Sequence, residues 1–161
     1  RMDHSRKTRI RTRNFVGEDE FFEPYESLRY MFKDLSDSDD VIYANLASLG
    51  EAFEHAWRRI LLSDALFMNT DRHMRNFGVI RSVRTGELKR LAPNFDNNQA
   101  YKANPGNHYS SGMLNAFRAA YGLTQADRDE LRALLSACEE RAYMQDAVEV
   151  GTDFLKQVKE N

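Results

Sequence analysis

Ile42, Leu46, Leu49, Phe53, Trp57 and Ile60 recur at intervals of three or four residues. That is the repeat of one helix face; a strand of period two would scatter the same residues onto both sides of a sheet. The stripe commits the middle of the chain to a helix packed on a core, and Trp57 needs no ligand to explain it. Helix is expected over residues 39–67, in two pieces if Gly50 interrupts it, with residues 36–40 as the preceding loop and N-cap region.

Downstream the period changes. Residues 77–82 and 88–92 are short strand-like runs, and Arg84-Thr85-Gly86-Glu87 between them is a turn, which predicts a β-hairpin. A loop comes next, over 101–111. Helices are then expected over 111–121, ending near Gly122, over 125–148 and over 152–159. Thr124 and Thr152 are natural N-caps, the first reinforced by Asp127 three residues on. Upstream, 17–20 reads as a turn, and a helix is expected from Pro24 to Leu35, since proline is favoured in a first turn. Residues 1–14 form a basic arm, either a short edge strand or a disordered segment. The expected fold class is mainly α with a small β-hairpin, with 1–23 as an N-terminal arm or linker and 24–161 as the folded domain.

A length of 161 residues suits one domain, and 11% aromatic residues is too much apolar surface for a solvated, disordered chain. No apolar run approaches the ~20 residues of a membrane helix, so no membrane association is expected. No apolar stretch of a signal peptide comes after the basic N-terminus. The single cysteine, Cys138, forms no internal disulfide and fits a reducing compartment; on an amphipathic helix it reads as packing. Net charge is only −2, so nothing in the total points to nucleic acid. The distribution is uneven: residues 16–54 carry eleven acids and two bases, and residues 58–102 carry nine bases and four acids. The basic segment reads either as a site for an anionic substrate and metal or as chance clustering on a solvated face.

The segment Asn69-Thr70-Asp71-Arg72-His73-Met74-Arg75-Asn76-Phe77-Gly78 places polar groups directly after an apolar helix and before a strand. It contains D-x-x-x-x-N, Asp71 to Asn76. Asp96 lies twenty residues later, in Ala92-Pro93-Asn94-Phe95-Asp96-Asn97-Asn98. Phosphoryl transfer from ATP asks for a carboxylate near the attacking hydroxyl and for oxygen ligands that fix Mg²⁺ on the phosphates. As such ligands, Asn76 and Asp96 must come within a few ångströms of each other. An extended link of that length spans up to ~70 Å, and the hairpin folds it back until its ends lie one strand spacing apart, ~4.8 Å. Asp71 then sits upstream on the same loop, facing the acceptor hydroxyl. His73 and Arg75 balance phosphate charge, or a neutral His73 holds the loop by hydrogen bonds.

The full string N-T-D-R-H-x-x-N-F-G, with L-A-P-N-F-D-N-N after it, resembles the catalytic loop and metal-binding motif of HipA-like serine/threonine protein kinases over residues 64–101. The resemblance implies the large, C-terminal lobe of a protein-kinase-like fold, with ATP and Mg²⁺ as cofactors and a serine or threonine of a protein substrate as acceptor. It implies Asp71 as catalytic base, Asn76 and Asp96 as magnesium ligands, and Asn69 as a brace for the loop. His73 occupies the basic position two residues after the catalytic aspartate, and Arg75, on the cofactor side, stands where family members often carry lysine. It also implies a bacterial, cytoplasmic setting, often as the toxin of a toxin–antitoxin pair with a DNA-binding antitoxin as partner.

The sequence has neither G-x-G-x-x-G nor G-x-x-x-x-G-K-[ST], and it begins at Arg1. The small kinase lobe is therefore expected upstream in the same gene or on a separate chain, and these residues alone are expected to be incomplete for activity. Two other readings stand beside the kinase. One is a metal-dependent phosphohydrolase using Asp71, His73, Asp96 and His108. The other is a non-catalytic kinase-like interaction domain. Outside the phosphohydrolase reading His108 receives no role, and neither do His4 and His55, His55 being expected on the exposed side of its helix.

Overall fold

The computed structural model describes residues 15–34, 36–94 and 109–158. Along them run β1 (Glu20–Pro24), α1 (Tyr25–Leu28), α2 (Asp39–Ala47), α3 (Glu51–Phe67), β2 (Gly78–Ser82), β3 (Leu88–Leu91), α4 (Gly112–Tyr121), α5 (Gln125–Cys138) and α6 (Gln145–Gln157). The described residues are mainly helical, with one antiparallel sheet in the order β1-β2-β3. No helix among them is long and apolar enough to cross a membrane. The basic arm over 1–14 and most of the loop over 101–111 lie outside the described residues.

The central stripe forms as its spacing predicts. Gly50 divides it, with a φ of 135° that a side chain would strain, and serves as the N-cap of α3. Around α3 gather two apolar clusters. On one side Trp57 and Ile60 meet Tyr25, Leu28, Ile42, Leu46 and Phe77. The Trp57 and Phe77 ring centroids are 4.5 Å apart, and those of Tyr25 and Phe77 5.2 Å. On the other side Leu62 and Leu66 meet α4, α5 and α6, with Cys138 packed among them and 5% exposed. Each fully buried leucine or tyrosine here contributes roughly 1.5–3 kcal/mol. His55 is exposed, as expected.

Four elements differ from the sequence reading. Residues 20–24, divided between an arm and a helix start, form a third strand, β1, pairing from Glu20↔Ser82 to Pro24↔Gly78. Proline is tolerated there because β1 is an edge strand and Pro24 is its last residue. The helix after Pro24 lasts one turn and passes into a 3-10 turn over Arg29–Met31, with Phe32 extended. Its head is docked: the amides of Tyr25 and Glu26 donate to the carbonyls of Phe77 (2.9 Å) and Met74 (3.0 Å). A Cβ on Gly78 would fall on the Glu23 carbonyl oxygen and Pro24 Cα, so the close approach of β1 to β2 requires glycine.

The expected helix over 125–148 stops at Cys138. A 3-10 turn over Ala142–Met144 comes next, and α6 then runs unbroken through Thr152, which is therefore no N-cap. Gly151 is a contact rather than a break. A Cβ there would lie 2.7 Å from Leu135 Cδ2 and 2.8 Å from Leu66 Cδ1, so its absence lets α6 close on α3 and α5. Thr124 does cap α5, in a full capping box with Asp127.

Asp127 also receives Arg58 of α3, whose Nη2 lies 2.6 Å from Oδ2. Arg58 donates as well to the carbonyls of Tyr121 and Gly122 and to Tyr43 Oη. Burial pushes the Asp127 carboxyl up, but the bonds from Arg58 and Thr124 outweigh it and leave it below the ordinary value.

Part of the charge asymmetry of the sequence is taken up in pairing. Arg81 meets Glu23, Arg84 meets Asp19 and Arg90 meets Glu20, so bases of the 58–102 segment face acids of the 16–54 segment across the sheet. These three bases are thus one half of a set of ion pairs that joins the two segments.

Candidate functional site

Helix α3 ends at Met68, which takes the left-handed conformation at φ 54° and turns the chain into the loop before β2. A non-glycine residue there is uncommon and costs of order 1 kcal/mol. Two buried carboxamides shape this loop. Asn69, 3% exposed, donates from Nδ2 to Asp64 Oδ1 (3.0 Å) and accepts at Oδ1 from the Asp71 amide (3.2 Å). Asn76, 2% exposed, donates from Nδ2 to the Asp71 carbonyl (2.9 Å) and accepts at Oδ1 from the His73 amide (3.1 Å). The backbone of residues 71–73 is therefore held by side chains at both ends of the loop. The expected brace at Asn69 has this geometry. The Asp71 carboxylate itself is exposed, with no partner among the described residues.

His73 is exposed, and its Nδ1 accepts from the Arg75 amide at 3.2 Å. The bond closes a turn within the loop, between residues two apart. Arg75 points outward, 77% exposed, with Nε 3.8 Å from Glu26 Oε2. The structure does not bring it onto the Asn69–Asn76 network.

Three contributors escaped the sequence reading: Asp64, Arg72 and Asn94. Arg72 donates from Nε to Asp64 Oδ2 (2.9 Å) and from Nη2 to Asp64 Oδ1 (2.6 Å), both side chains being buried. Its Nη2 also reaches Asn94 Oδ1 (2.7 Å), and its Nη1 the Asn76 carbonyl (3.3 Å). Asn94 in turn donates to Ser63 Oγ on α3. A signal was present. Asp64 is an acid on the buried side of the last turn of a helix, where the helix dipole disfavours negative charge. Such a residue needs a cation, and Arg72 lies eight residues later.

The hairpin does fold the chain back as the metal argument requires. The Ala92 amide donates to the Gly78 carbonyl at 2.8 Å, and Arg72 spans Asn76 and Asn94. Asp96 and His108 lie outside the described residues. Among the described residues no three His, Cys, Asp or Glu side chains group as metal ligands would. Asn76 Oδ1 accepts one hydrogen bond and keeps a second lone pair, so it suits a hard cation that takes oxygen ligands.

A cleft of about 490 Å³ opens beside Asp64, Asn69 and Arg72 toward Trp57 and Phe117. Asp71 and Asn76 do not line it, so it is separate from the exposed carboxylate. No protein-family model, curated protein or solved structure matches this chain significantly.

Proposed function

We propose that this chain is the large lobe of a HipA-like protein kinase, transferring the γ-phosphoryl group of Mg-ATP to a serine or threonine of a protein. One observation carries the reading. Asn76 ties its amide nitrogen to the Asp71 carbonyl, so a buried oxygen donor and an exposed carboxylate, without a partner among the described residues, are held on one short loop. In this role Asp71 accepts the proton of the attacking hydroxyl, the acceptor oxygen bonds to the γ-phosphorus, and ADP leaves. Asn76 and Asp96 are the proposed holders of magnesium, which when bound neutralises charge on the phosphates. Asn69 and His73 keep the loop in shape through the bonds described above. The small lobe, from the same gene or another chain, is the proposed source of the lid over ATP, and a DNA-binding antitoxin is the proposed regulatory partner in the cytoplasm.

Transfer from radiolabelled ATP by the full-length protein with its small lobe tests this. Asp71→Asn is expected to reduce labelling by about 10²–10⁴-fold while ATP still binds. An unchanged rate would remove Asp71 from the role. No labelling by the wild type, with the small lobe present, would favour a non-catalytic interaction domain.

A further inference from the structure

We propose that Arg72 is a positioning residue that clamps the two open ends of the β2–β3 hairpin onto α3, setting the loop of Asp71 and Asn76 in register with the segment that leaves β3. The inference rests on the kinase reading for its effect on transfer, but its geometry is independent of that reading.

The fixed point is Asp64. Its carboxylate lies on a long helix and takes three donors, Arg72 Nε, Arg72 Nη2 and Asn69 Nδ2. Arg72 is thereby anchored, with its side chain 9% exposed. The guanidinium also reaches in two directions among the described residues, from Nη1 to the carbonyl of Asn76 just before β2 and from Nη2 to the side chain of Asn94 just after β3. A guanidinium suits this task because its five N–H groups lie in one plane at fixed angles. A lysine at position 72 keeps the charge but has three donors on one atom, which cannot meet acceptors on opposite sides. Removing a buried charge from water is costly, so the pair is poorly explained as a source of stability alone. It is well explained as a register device: the ladder ends with the Ala92 amide on the Gly78 carbonyl, and the contacts of Arg72 carry the approach of the two strands two residues further, to Asn94 and Asn76. Asn94 precedes Asp96 by two residues, so the clamp fixes the chain immediately before that carboxylate.

The test compares wild type, Arg72→Lys and Asn94→Ala in the full-length protein, with two readouts. The first is hydrogen exchange over residues 69–77 and 92–94, which needs no activity. The second is phosphate transfer as a function of Mg²⁺ concentration. Both variants are expected to speed exchange in both segments. Both should raise the Mg²⁺ needed for half-maximal transfer by about 10- to 100-fold, with a smaller change at saturating Mg²⁺. The double variant should be little worse than either single one, because both remove the same contact. Folded variants with unchanged exchange and unchanged Mg²⁺ dependence would overturn the proposal. If Arg72→Lys does not fold, Asn94→Ala decides, since it leaves the ion pair; it also removes the bond to Ser63, so Ser63→Ala is run beside it and is expected to leave exchange over residues 69–77 unchanged. Faster exchange in a protein whose wild type transfers no phosphate would uphold the clamp and reject the kinase reading.

Discussion

Arg58 and Asp64 both lie on α3, and each buries its charge against an opposite one, Asp127 and Arg72, at 2.6 Å. Around Arg58 everything else is regular: Asp127 closes the capping box of α5, and the other acceptors are the last carbonyls of the α4–α5 turn and a tyrosine of α2. Around Arg72 nothing is regular. Its loop has no ladder of its own, and the backbone groups of residues 71–73 bond to Asn69 and Asn76 side chains. The same chemistry therefore acts at two scales. One pair joins helices to one another; the other shapes a segment too irregular to shape itself. What a buried ion pair does is decided by what it joins more than by its distance.

Removing Asp127 should have the largest effect. Asp127→Ala leaves Arg58 charged, buried and unpaired, and should cost about 3–5 kcal/mol in urea denaturation. Asp64→Ala should cost about 1–3 kcal/mol, because Arg72 stands on an irregular loop that can yield and let water reach its guanidinium, whereas Arg58 stands on a helix, and should speed exchange over residues 69–77. Equal global losses with no local change in exchange would erase the distinction between the two pairs. A smaller effect is expected from Thr124→Ala, which removes one side of the capping box but leaves the ion pair. About 1 kcal/mol is lost in that case, and a much larger loss would mean that the pair depends on the cap.

The exposed Arg90–Glu20 pair on the sheet supplies the reference for both. The hydrogen bonds from Arg90, and after them that from the Gly17 amide, hold the Glu20 carboxyl down at about 2. Because this value is depressed in the folded state, the contribution is present above the ordinary carboxylate range. It is lost as pH falls from about 4.5 toward about 2. An NMR titration of the Glu20 side chain should show that low midpoint, while the accompanying loss of stability should be the smallest of the four, as befits a solvated pair. A midpoint at the ordinary value would dissolve the contact.

Local signals in the sequence carried well. The stripe from Ile42 to Ile60, the interruption at Gly50, the hairpin and the cap at Thr124 all appear where their patterns place them. Each depends on residues close together in the chain. The readings that failed depend on distant partners. Glu20-Phe21-Phe22-Glu23 has no alternation, and its pairing with β2 cannot be read from its own residues. Thr152 reads as an N-cap until Gly151 before it is seen packed on Leu66 and Leu135 inside one unbroken helix. At the site, the carboxamides Asn69 and Asn76 were legible because the motif contains both. Arg72 was visible only as a letter between Asp71 and His73, since its meaning depends on Asp64 one helix turn before the motif and Asn94 beyond the hairpin.

The register of β1 against β2 also bears on the order in which the molecule is assembled. Pro24 pairs with Gly78 and Glu20 with Ser82, whereas β2 and β3 are joined by a tight turn. In a chain growing from its N-terminus, β1 emerges first, and its partner appears only after α2 and α3. Closing so long a loop carries an entropic cost that must be met before any of the ladder's hydrogen bonds are gained. Until then β1 is an orphan strand, and the charges of Glu20 and Glu23 oppose its pairing with copies of itself. The head of α1, directly after β1, donates to the carbonyls of Met74 and Phe77. A nascent chain thus carries the letters of the site well before it carries the site, and the loop takes its final form only when the first strand of this sheet meets its second.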